Sequence, residues 1–174
     1  MKFASMIKNA ALTVALGAAL LTAPAANAQN EEALVTYQSL KPSVALELAQ
    51  SALTICRDAG YQVAITVTDR FGVSLVMLRD QYAGTHTVST ATRKAWTAVT
   101  FRTSTIDLND IAATNKHMTH IGDITNALAL GGGVPVLAGG VLVGGIGISG
   151  APGAELDHDC AIKAIETIQD DLDF

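Results

Sequence analysis

Nine of the chain's fifteen glycines lie in one stretch, GGGVPVLAGGVLVGGIGISG, residues 131–150. The apolar residues between them are β-formers, so the stretch reads as strands. A strand that lacks side chains weakens itself unless another surface packs close to its backbone. Gly145 and Gly147 point to one face of such a strand and Gly144 to the other. The partner on that backbone can be a helix of the same chain, a second subunit or a flat ligand. Gly145–Gly150, GIGISG, also fits the G-x-G-x-x-G pattern of dinucleotide sites. That pattern works only between two parallel strands, with an acid about 20 residues on. Asp170 stands at a suitable distance, but the sequence stops at Phe174, and no second parallel strand is expected. No G-x-x-x-x-G-K-[ST] occurs either, so nucleotide binding is not expected.

The N-terminus, MKFASMIKNAALTVALGAALLTAPAANAQN, has Lys2 and Lys8 before an apolar run over 10–21 and the small-residue site Ala26-Asn27-Ala28. This is the pattern of a secretory signal peptide, residues 1–28, cleaved after Ala28. The apolar run is too short to span a bilayer. We therefore expect an exported protein, periplasmic or extracellular, not inserted in the membrane after cleavage. The remaining 146 residues suit one domain. Without Lys2 and Lys8, nine basic residues face sixteen acidic ones, a net charge of about −7 that nucleic acid would repel.

Residues 29–41 read as an irregular leader arm, and 42–174 as a single domain. From Pro42 to Ala59, Ala45, Leu48, Ala49, Ala52, Ile55, Cys56 and Ala59 fall on one helical stripe. YQVAITVTDRFGVSLVMLRD, residues 61–80, is a hairpin that turns at Asp69–Gly72. A helix follows the QYAGTH loop and ends near Arg102; Ser104 caps a second, to about Ala113. Three apolar runs, Leu128–Leu130, Val134–Leu137 and Val141–Ile148, predict a three-strand meander broken at Gly131–Gly133 and Gly139–Gly140. A last helix runs from Gly153 to about Asp170. The expected fold is α+β, with a five-stranded antiparallel sheet and helices on its faces. Cys56 and Cys160 sit on the sheet-facing stripes of the first and last helices. In an oxidising compartment they are expected to pair, two separate buried thiols being the alternative. The chain-entropy model assigns such a crosslink about 4–5 kcal/mol.

QVAITVTDRFG, AGTH, RKAWTAVTF, GGGVPVLAGGVLVGGIGISGAPG and DHDCA occur in this order over residues 42–170. In order and spacing they resemble the GlcG/HbpS-like proteins, a family that includes the C-terminal domain of PduO-type proteins. The resemblance implies a profilin-like three-layer α/β/α fold and homo-oligomers. It also implies haem, or a related tetrapyrrole, as ligand of some members. The expected function is haem binding for sensing, storage or transport, the partner being haem or a similar planar anionic ligand. The alternatives are an enzyme acting on haem or on a small organic acid, and a non-catalytic oligomeric accessory protein.

Haem needs an apolar slot, an axial donor, and cations or hydroxyls for its propionates. His86, in the loop before the KAWTA helix, is the first choice for the iron. His117 and His120 form H-x-x-H, which on a helix would share one face; Met118 lies between them. His158, between two aspartates at a helix start, reads as exposed. Lys94 and Arg93 are candidates for a propionate, and Trp96 either stacks on the ring or belongs to the core. Apart from haem iron no metal is expected. Asp69, His86 and Ser89 would make a triad only if the fold joined them, and no G-x-S-x-G elbow is present.

Overall fold

Pro42, whose fixed φ suits a first helical turn, opens helix α1 (Pro42–Asp58), and Gly60 leaves it with φ +84°. The computed structural model describes residues 33–172. The expected signal peptide, 1–28, lies outside the described residues. Strands β1 (Ala64–Asp69) and β2 (Ser74–Arg79) form the hairpin. Its turn is fixed by Asp69 Oδ1, which accepts from the backbone N–H groups of Phe71 (2.8 Å) and Val73 (2.9 Å), and by Gly72 at φ +83°. Helix α2 (Thr87–Phe101) stops at Arg102 in the left-handed region. Ser104 Oγ accepts from Asp107 N–H and caps α3 (Thr105–Thr114). A 3₁₀ turn at Ile121–Asp123 follows. Strands β3 (Gly133–Ala138) and β4 (Val141–Ser149) are joined by Gly139-Gly140, both at positive φ, the hairpin conformation that this dipeptide favours. Helices α4 (Ala154–Glu166) and α5 (Gln169–Leu172) complete the chain, so the single final helix expected to about Asp170 is interrupted at Thr167–Ile168.

The sheet has four strands, not five, in the order β2-β1-β4-β3, every neighbour antiparallel. Leu128–Leu130, expected as the first strand of a meander, is a loop. Leu130 N–H donates to Leu128 O, and other backbone groups in and beside the segment are taken by side chains instead of a strand. Leu128 N–H donates to Thr97 Oγ1 (2.9 Å), Ala127 O accepts from the Arg93 guanidinium (2.7 Å), and Leu130 O accepts from Thr105 Oγ1 (2.7 Å). The antiparallel pairing of β4 on both sides also removes the parallel setting a dinucleotide fingerprint requires.

Alternation splits each strand between two faces. On one face Val63, Ile65, Val67, Val136, Ile146 and Ile148 pack against Ala45, Leu48, Ala49 and Ala52 of α1 and Ala161 and Ala164 of α4. Cys56 of α1 and Cys160 of α4 form a buried disulfide there, their Cα atoms 5.8 Å apart. Helix α2 covers the other face, where Thr66, Thr68, Gly145 and Gly147 are found. A Cβ at Gly147 would run into Ala91 O and sit 2.6 Å from Ala95 N, and one at Gly145 would sit 2.5 Å from a Val99 methyl. Gly145 and Gly147 thus admit a helix of the same chain close against the strand. Trp96 belongs to a small core with Leu108, Ile121, Ala127, Phe101 and Met118, its ring edge against Gly72.

Candidate functional site

At the end of the sheet where β4 leaves and α2 begins, the chain forms a cleft of about 480 Å³. Its walls are the Tyr82–Thr90 segment, the Ser149–Ala154 turn, Gln62 and Leu130, and Lys94 and Asp157 form its floor. Clefts beside Tyr37–Val44 and beside Gly139–Gly140 hold no histidine and no buried charge.

The floor is an ion pair. Lys94 Nζ, 1% exposed, donates to Asp157 Oδ2 at 2.8 Å and to Ile148 O at 2.9 Å. A lysine ammonium has three N–H donors, so one is left beyond these two acceptors. Asp157 Oδ1 accepts from Ala151 N–H at 2.9 Å, which ties the 149–153 turn to the first turn of α4. Burial acts on both charges more strongly than their mutual attraction. It lowers the Lys94 pKa below its usual value and raises that of Asp157. Gly132 carries the pair on its far side, where a Cβ would lie 2.7 Å from the Asp157 Cβ and 3.0 Å from Lys94 Nζ.

The rim carries His86. It takes the N-cap position of α2 without a side-chain capping bond and is exposed. Its ring lies over Gly84, where a Cβ would stand 2.7 Å from the imidazole Cε1. The loop that carries it is held from below. Arg57 of α1 grips Asp80 through two guanidinium nitrogens (2.6–3.0 Å), Asp80 N–H donates to Val63 O, the Arg79 guanidinium donates to Ala83 O, and Thr87 Oγ1 donates to Gly84 O. The Arg57 guanidinium holds Asp80 below the usual carboxylate range. Tyr82 stands 78% exposed at the mouth of the same cleft.

Of the residues singled out in the sequence, the fold brings His86 and Lys94 to one cleft. Arg93 does not line it; its guanidinium donates to Asn126 O and Ala127 O. His117 and His120 are exposed elsewhere, and His120 Nδ1 pairs with Asp123 at 2.8 Å. Among the described residues no cluster of histidine, cysteine or acidic side chains could hold a metal ion. His158 is half-buried instead of exposed, with its Nδ1 buried and without a partner. Asp69 is engaged in its own turn and Ser89 Oγ donates to the backbone of His86, so the three triad candidates do not join. Asp157, Gln62 and Tyr82 escaped the sequence reading. Asp157 carried one signal: it falls on the apolar stripe with Cys160 and Ala161, where a charge needs a partner.

The sequence model of the HbpS-like family, described as haem degrading protein HbpS-like, matches residues 40–166. The chain belongs to this family. A double mutant of HbpS from Streptomyces reticuli has the same fold at 32% identity and a TM-score of 0.74, over 92% of this chain and 99% of that one. The complex of PduOC with heme aligns at 29% identity and a TM-score of 0.68, over 75% of this chain and 95% of that one. In sequence, the corrinoid adenosyltransferase PduO of Salmonella typhimurium is 32% identical over 126 residues, 70% of this chain and 37% of that protein. Its counterpart in Citrobacter freundii is 31% identical over 78% of this chain and 43% of that protein. The chain therefore spans about two fifths of the length of these curated relatives.

Proposed function

We propose that the chain is an exported haem-binding protein that serves sensing, storage or transport, with the cleft as its site and His86 as the iron's axial donor. The observation that carries this is the His86 imidazole. It stands at the mouth of a large cleft, with no hydrogen-bond partner among the described residues and on a loop braced by the Arg57–Asp80 clamp. An unengaged imidazole in a fixed place is what an axial ligand requires. The residues present fit the group. Tyr82 offers an aromatic face at the rim. The N-terminus of α2 has neither a side-chain cap nor an acid in its first turn, which favours a propionate. Bound haem would supply a redox-active iron that responds to its axial donor; the chain's part is to hold and orient it.

The family resemblance and the haem complex of a structural relative favour the same ligand. Export is supported by the signal-like residues 1–28 and by the Cys56–Cys160 disulfide, which persists in oxidising compartments. Leu137, Val141 and Ile162, exposed along β3, β4 and α4, give a homo-oligomer an apolar contact. Titration of the mature protein with hemin tests the site. A saturable Soret band is expected, lost in His86→Ala with the circular dichroism unchanged. An undiminished band in that variant would remove His86 and this cleft from the reading.

A further inference from the structure

Lys94 and Asp157 do more than a haem pocket asks of them. A buried cation is seldom kept beneath a ligand cleft when an exposed one would serve a propionate. Here the cation is an amine, 1% exposed at the floor of the cleft, with a carboxylate at 2.8 Å and a backbone carbonyl at 2.9 Å. Gln62, in the same wall, has a buried Oε1 with no donor. An acceptor left in this way can take a hydroxyl or N–H that a ligand brings. We propose that the cleft floor is a Schiff-base site at which Lys94 condenses with a small 2-oxo acid and Asp157 carries the proton. This goes beyond haem binding and does not depend on it.

The step balances with no further reagent. The Lys94 ammonium gives a proton to the Asp157 carboxylate. The freed amine adds to the ligand's carbonyl carbon: a C–N bond forms, and the oxygen takes the proton from Asp157. The resulting carbinolamine loses that oxygen as water. Of the ammonium's three hydrogens, two leave in the water and one stays on the iminium nitrogen. The positive charge is conserved and still faces Asp157. Burial favours the first transfer, because it lowers the Lys94 pKa and raises that of Asp157. The open N-terminal turn of α2 is set to take the ligand's carboxylate, and Gln62 Oε1 the hydroxyl of the carbinolamine.

The test is reductive trapping on the folded mature protein, with pyruvate as probe and cyanoborohydride as reductant at neutral pH, followed by peptide mapping. Lys41, Lys116 and Lys163 are exposed and act as internal controls. The expected result is a single reduced pyruvyl adduct, on the peptide that contains Lys94, lost on prior unfolding in urea. In Asp157→Asn the amine loses the carboxylate that holds its proton, so the adduct should form more slowly without recovering as pH rises, the mark of a missing proton carrier. Adducts shared equally among the exposed lysines, or an unmodified Lys94, overturn the proposal. Hemin titration of the same preparation reads the haem site separately, so either reading can fail alone.

Discussion

The two faces of the sheet are built from different materials. Toward α1 and α4 the strands present valine and isoleucine, the helices alanine and leucine, and a disulfide joins the helices. Toward α2 they present threonine and glycine, and the helix answers with Ala91, Ala95 and, between them, Lys94. The first face is stabilised by apolar area, which tolerates small changes of shape. On the second, backbone lies against backbone and a buried charge pair stands at the cleft floor, so it tolerates almost none. What differs is the cost of error, and the less forgiving face is the one that ends in the cleft.

The sharpest way to break this contrast is Lys94→Met. It leaves the Asp157 carboxylate buried and uncompensated, at a cost of about 3–5 kcal/mol. Chemical denaturation should show that loss, and adding Asp157→Leu to the variant should restore part of it. Next comes a matched pair of small substitutions. Gly147→Ala forces a methyl into the α2 backbone, with an expected cost of about 3 kcal/mol, whereas Ile65→Val on the other face should cost only about 1 kcal/mol. Equal costs would dissolve the distinction between the faces.

The smallest effect concerns the clamp under the His86 loop. Arg57 lowers the folded-state pKa of Asp80, so its contribution is fully present above the unfolded carboxylate value of about 3.9 and is lost as pH falls through the lower folded value. Asp80→Asn should be less stable than the parent at neutral pH, and the two acid-unfolding curves should converge at low pH. Parallel curves across that range would show that the clamp does not titrate.

The elements with local chemistry were legible in the sequence. The β1–β2 turn follows from Asp69 and Gly72, the β3–β4 turn from Gly139-Gly140, the start of α3 from Ser104, and the disulfide from two cysteines on inward stripes. Leu128–Leu130 was misread because its partners are Arg93, Thr97 and Thr105, about 25 to 35 residues upstream, and no local pattern announces a side chain that will take a backbone bond. The cleft was half legible. His86 and Lys94 carry chemistry that draws attention. Asp157 looked like one of several acids at a helix start, and Gln62 and Tyr82 have no signature until the fold sets them beside the others.

One helix sets the scale of the whole site. His86 opens α2 and Lys94 lies two turns further in, about 12 Å along the axis at 1.5 Å per residue. Helix α2 is therefore a ruler with a metal-seeking mark at one end and a carbonyl-seeking mark at the other. A broad macrocycle is measured against its length, whereas a three-carbon acid is held at the inner mark with its carboxylate toward the first turn. If both guests are admitted, the smaller one slips beneath the larger, and the order in which they arrive decides whether the floor can be reached at all.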